Sequence, residues 1–88
     1  MNVKLLYGPV DDANIYDVYV EVCSNGCGDY EYHVKGVFAM PDGVEKRGVI
    51  DVYETPGEAF TLCNWLTGEL EYENQKKHPE NYVCGKGV

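Results

Sequence analysis

Cys23 and Cys27 stand in C-x3-C spacing around a Ser-Asn-Gly turn, and paired thiols on a tight turn are how a zinc knuckle begins. A tetrahedral site needs further ligands, and Cys84 or His78, from the far tail, would have to supply them. No second C-x2-C pair exists, and Cys63 falls on an apolar helical stripe. A redox pair would need a C-x-x-C motif at a helix N-terminus, where a thiolate is stabilised, and that is missing too. No metal and no cofactor is therefore expected. A metal- or redox-responsive regulator using Cys23 and Cys27 stands as the alternative reading.

A second grouping, Tyr19, His33 and Asp51, depends on the strands that carry it. A histidine between a tyrosine and a carboxylate resembles an acid–base set, because the carboxylate favours the charged imidazole. The only serine, Ser24, lies in a turn with no evident base, and no Gly-rich phosphate loop is present. Cross-strand polar pairs are also the ordinary decoration of a solvated sheet face. The residues point to a non-enzymatic role.

The positioning elements are legible from period and punctuation. Val3 to Tyr7 reads as a short strand stopped by Gly8-Pro9, and Asp11, Asp12 and Asn14 as a polar connection. From Ile15, Tyr16, Val18, Val20 and Val22 alternate with Asp17, Tyr19 and Glu21. Tyr30, Tyr32, Val34, Phe38 and Met40 alternate with Glu31, His33 and Lys35. A third strand sets Ile50 and Val52 against Val49, Asp51 and Tyr53.

The turns set the register. Met40-Pro41-Asp42-Gly43-Val44 pairs Met40 with Val44, which places Val34 opposite Ile50 and Tyr32 opposite Val52. A two-residue Asn25-Gly26 hairpin would mix faces, since a one-residue slip flips every side chain. A loop from Ser24 to Gly28, pairing Val22 with Tyr30 and Val18 with Val34, restores one apolar face. Thr55-Pro56-Gly57-Glu58 is a capping box with proline in the first helical position. Ala59, Leu62, Cys63 and Leu66 then form the helical stripe that covers the sheet, and Gly68 is the expected stop. Phe60 and Trp65 lie beside that stripe, where a lone tryptophan in so small a domain is expected to extend the core. The tail 69–88 is polar and partly flexible. The sequence thus predicts one α+β domain, an antiparallel three- to four-stranded sheet in β-β-β-β-α order with one main helix on one face.

The net charge of −8, from fifteen acidic and seven basic residues, disfavours direct nucleic-acid binding and anionic membranes. No apolar run approaches the ~20 residues of a membrane span, and Met1 to Gly8 lacks signal-peptide character. The expected location is the cytoplasm, with reduced cysteines. An acidic surface suits a basic protein partner instead, such as a nuclease or another nucleic-acid-binding protein. The exposed sheet face offers the residues: Asp17, Tyr19, Glu21, Glu31, His33, Asp51, Tyr53 and Glu54 form an acidic, aromatic patch suited to Arg or Lys through charge pairs and cation–π contacts. An uncovered edge strand also offers a route to a homodimer.

In size, acidity and β-rich make-up the whole chain resembles small phage-encoded inhibitors of host defence, the anti-CRISPR proteins among them. That resemblance implies a protein that blocks a nuclease, by filling its basic nucleic-acid channel or by holding it inactive. It assigns no individual residue.

Overall fold

A computed structural model describes residues 1–77; of the segment 69–88 expected to be polar and partly flexible, 69–77 belongs to the helix and 78–88 lies outside the described residues. The chain runs β1 (Asn2–Lys4), β2 (Asp12–Asn14), β3 (Asp17–Ser24), β4 (Tyr30–Ala39), β5 (Glu45–Tyr53) and α1 (Pro56–Lys77). β3, β4 and β5 form one antiparallel sheet in that order, and β1 pairs with β2 as a separate two-stranded sheet. The α+β class and the helix packed on one sheet face are as the sequence predicts. The polar connection holds an additional short strand. Its Asp12-Ala13-Asn14 alternation puts Ala13 into the core while both neighbours stay in water. The first strand is also shorter than expected. Beyond Lys4 the chain leaves β2 and bridges to β5 instead, Leu6 N donating to Val49 O at 2.7 Å and Val49 N to Tyr7 O at 2.7 Å.

Both hairpin turns form where the punctuation requires. At the second, Met40 N donates to Val44 O at 2.9 Å and Gly43 takes φ 87°, a conformation that favours glycine. The first turn is a five-residue loop, but one residue further along than expected. Ser24 faces Tyr30, so Val22 meets Tyr32, Val20 meets Val34 and Val18 meets Gly36. The offset is two residues in the pairing, so each side chain keeps its expected face.

β5 departs more sharply. From Ala39–Glu45 to Lys35–Val49 the pairing follows the turn; Val34 then faces Asp51, His33 faces Val52 and Tyr32 faces Tyr53. Ile50 is the extra residue of a β-bulge, which reverses the sidedness of the residues after it. The expected row Tyr19–His33–Asp51 therefore does not form. Asp51 and Tyr53 turn to the helix side, and Val52 takes the place beside His33.

One cluster joins the layers: Leu5, Ala13 and Ile15 from the N-terminal hairpin, Val18, Val34 and Phe38 from the sheet, and Ala59, Leu66 and Leu70 from α1. The helix starts at Pro56, where the Thr55-Pro56 punctuation places it, with Glu58 in its first turn favouring the dipole. It does not stop at Gly68. A glycine inside a helix costs only about 1 kcal/mol, and Leu70 beyond it is buried and helps hold the next turns down. Trp65 is not core: it is 57% exposed, and Phe60 is 50% exposed.

Gly36 and Gly48 face each other across β4 and β5 and leave room for neighbouring chains to fill. A Cβ at Gly36 would come within 2.6 Å of Ile15 Cγ2 and 3.1 Å of Ile50 Cδ1, and one at Gly48 within 2.5 Å of Leu5 Cδ1. Ile15 is 1% exposed and has nowhere to retreat. Gly36→Ala is thus expected to lower the unfolding free energy by about 1–3 kcal/mol in urea titrations, through overpacking.

Candidate functional site

The sheet face away from the helix carries most of the expected patch, but its charges are mutually satisfied. Glu21 lies across from His33, and its carboxylate is 2.9 Å from Lys35 Nζ. Glu31 Oε1 is 3.2 Å from His33 Nε2 along β4. Arg47 pairs with Glu45 at 2.9 Å. Asp17, at the start of β3, accepts a hydrogen bond from Val18 N at 2.9 Å. Tyr19 is half-buried opposite Lys35, and Val37, Val49 and Val52 fill the remaining positions. The Lys35 ammonium, first, and the Cys23 thiol, second, hold the Glu21 carboxyl below its ordinary range. Reciprocally, Glu21 raises the Lys35 pKa. No acid–base set remains, since Asp51 faces the other way.

Further acidity sits at the loop end of the sheet, where Glu31, already beside His33, is joined by Asp29 and Glu54. There a cleft of about 390 Å³ is lined by Asn25, Gly28, Asp29, Tyr30, Glu31, Tyr32 and Glu54. Its lining includes three acidic residues, Asp29, Glu31 and Glu54, and two tyrosines, with no Lys or Arg among the lining residues. Each arrives by a local cause. Gly26 and Gly28 adopt φ 84° and 87°, which folds the loop back so that Asp29 O accepts from Asn25 N at 3.1 Å. The bulge at Ile50 brings Tyr53 opposite Tyr32 and leaves Glu54 beside them. Next to the cleft, Tyr53, Thr55, Glu58, Leu62 and Trp65 line an apolar groove between β5 and α1. Burial, and then the Asp51 carboxylate, push the Tyr53 phenol pKa up.

Of the eight expected residues, the structure brings Glu31 and Glu54 into this cleft and puts Tyr53 in the adjoining groove. It leaves Asp17, Tyr19, Glu21 and His33 on the far face, and Asp51 beside Leu5 and Leu6. Asp29, Tyr30 and Tyr32 are cleft residues that the strand periodicity alone does not single out. The available clue is the run Asp29-Tyr30-Glu31-Tyr32, directly after two turn glycines.

Cys23 lies on β3 with its thiol donating to Glu21 Oε1 at 3.4 Å; burial first, then Glu21, raise its pKa. Cys27 is exposed at the loop tip. Among the described residues no three His, Cys, Asp or Glu side chains are grouped to hold a metal ion, and His78 and Cys84 lie outside them. No helix among the described residues is long and apolar enough to cross a membrane. Comparison with protein-family models, curated proteins and solved structures returns no match.

These environments set two measurable outcomes. A carboxyl whose folded-state pKa is lowered contributes stability above its unfolded value, near 4.5, and loses it as pH falls through the lowered folded value. The melting-temperature gap between the native chain and Glu21→Gln should accordingly be present at neutral pH and close as pH falls below the unfolded carboxyl value, whereas a gap independent of pH would mean that Lys35 does not hold this carboxylate. In the folded protein, alkylation and peptide mapping should show Cys27 labelled about tenfold faster than Cys23 or Cys63, whose thiols burial keeps protonated.

Proposed function

We propose that this chain is a non-enzymatic, acidic protein-binding module that occupies the basic nucleic-acid-binding surface of a partner protein and so inhibits it. The observation that supports the reading is the cleft lined by Asp29, Glu31 and Glu54 with Tyr30 and Tyr32: no Lys or Arg lines it, and the one basic neighbour of its acidic residues among the described ion pairs is the His33 imidazole, 3.2 Å from Glu31. A guanidinium or ammonium entering it gains charge pairing from the carboxylates and a ring face from either tyrosine. The adjoining groove supplies what charge alone does not. Trp65, 57% exposed beside Tyr53 and Leu62, is the kind of large, rigid side chain that anchors an interface. The overall charge of −8 adds steering towards a basic surface and repels the nucleic acid that competes for it. This division of labour also fits the likeness to phage-encoded anti-CRISPR inhibitors. A nuclease is the partner class that the reading favours.

The test is competition. A labelled oligonucleotide is bound to each member of a panel of nucleases and other basic nucleic-acid-binding proteins, and the chain is titrated in while anisotropy is monitored. Release from at least one member is expected. The triple variant Asp29→Asn, Glu31→Gln, Glu54→Gln should compete at least about tenfold less well, since each charge pair lost from a desolvated interface costs about 1 kcal/mol or more. A control triple, Asp11→Asn, Asp12→Asn, Asp42→Asn, should compete like the native chain. Equal competition by both triples, or no release anywhere in the panel, would overturn the reading.

A further inference from the structure

The two edges of the main sheet are treated differently. Leu6 and Tyr7 lie along β5 and take up the backbone of Val49. β3 is the other edge, eight residues long, with no neighbouring strand on its outer side among the described residues. Soluble proteins commonly blunt such an edge with lysine, proline or a bulge, and β3 (Asp17-Val18-Tyr19-Val20-Glu21-Val22-Cys23-Ser24) contains none of these. Alternate residues of β3 turn their backbone groups to β4, and Asn25 N donating to Asp29 O continues that ladder. The N–H and C=O groups of Val18, Val20 and Val22 consequently point outwards. The Val18 amide is held only by the adjacent Asp17 carboxylate.

The same border leaves apolar side chains in water. Val22 is 54% exposed although it lies on the helix face of the sheet. Phe60, 50% exposed, sits about 140° around the α1 axis from Trp65, which borders β5, and so lies on the flank towards β3.

We infer that β3 pairs with β3 of a second copy of this chain, antiparallel about a two-fold axis through Val20, to make a continuous six-stranded sheet. This register is self-complementary. Val20 meets Val20, Val18 meets Val22, and each Glu21 faces a Tyr19 hydroxyphenyl rather than the other Glu21, which avoids opposed like charges. Glu21 is already neutralised by Lys35 at 2.9 Å, so the strand border itself carries little net charge. A two-fold axis normal to the sheet keeps both helices on one face and brings Val22 and Phe60 of each copy towards the seam. The cleft at Asp29, Glu31 and Glu54 is not needed for pairing, so this inference stands or falls apart from the partner reading.

Sedimentation equilibrium from about 1 µM to about 500 µM is the first measurement, because mass action makes such a dimer concentration-dependent. A shift from monomer to dimer is expected, and added salt should strengthen it by screening the −8 charge of each copy. Hydrogen exchange should show the Val20 and Val22 amides at least about tenfold slower at the high concentration than at the low one. Val22→Lys, at a position already exposed, should give a monomer with unchanged circular dichroism. Val20→Pro removes an outward donor without touching the β3–β4 ladder, and should do the same. A native chain that stays monomeric throughout, a dimer whose β3 amides exchange no more slowly, or a dimer that survives both substitutions would overturn it.

Discussion

Between Lys35 and Val34 the facing strand β5 uses two residues where β4 uses one, and that extra residue sets the side on which everything from Asp51 to Glu54 projects. The bulge has a visible cause in packing. Gly36 and Gly48 oppose each other and offer no side chains, and Leu5, Ile15 and Ile50 close over the gap. Backbone contacts from Leu6 and Tyr7 then fasten Val49 from outside. A straight β5 would present Asp51 and Tyr53 beside His33 on the open face. With the bulge, Tyr53 joins Tyr32 above the core, Val52 fills the vacated place, and Glu54 meets the loop carrying Asp29.

That sidedness divides the electrostatics of the molecule. The open sheet face looks acidic in sequence but is locally balanced, because Lys35, His33 and Arg47 stand next to Glu21, Glu31 and Glu45. Exposed pairs of this kind contribute little to stability, and they leave little charge free for a partner. At the loop end Asp29 and Glu54 have no ion-pair partner among the described residues, and Glu31 has the His33 imidazole alone. Asp29 from the loop, Glu31 from β4 and Glu54 just past β5 line one cleft there together with Tyr30 and Tyr32, and an apolar groove lies alongside. Net charge alone would not locate the acidic site; the bulge does.

Much of this is legible in the residues. Alternation assigns the faces of β3 and β4, and even a misplaced loop does no harm, because an offset of two preserves parity. The Met40–Val44 turn and the helix start at Thr55-Pro56 carry local chemistry that tertiary context does not override. Three features are hidden. Asp12 to Asn14 is too short and too polar to signal a strand, and becomes one only because Ala13 and Ile15 are needed in the core. Gly68 looks like a stop, yet Leu70 adds a further buried anchor beyond it. The bulge leaves no mark in the hydrophobic period of β5 alone. Its trace is the Gly36–Gly48 pairing, which becomes meaningful once the hairpin register is known. Trp65 and Tyr53 escape a strand-by-strand reading for linked reasons, since the groove they share exists only when Tyr53 turns to the helix.

The sidedness of β5 can be read directly by nuclear Overhauser spectroscopy. Residues facing each other in a non-hydrogen-bonded antiparallel pair have Cα atoms about 4.5 Å apart, close enough for a strong Hα–Hα cross-peak. His33 and Val52 are such a pair in the bulged register. A strong His33–Val52 Hα cross-peak, together with contacts from the Tyr53 ring to Leu62, is the expected result. A His33–Asp51 Hα cross-peak in its place would mean a straight β5, with Tyr53 on the open face and no acidic cleft at Glu54.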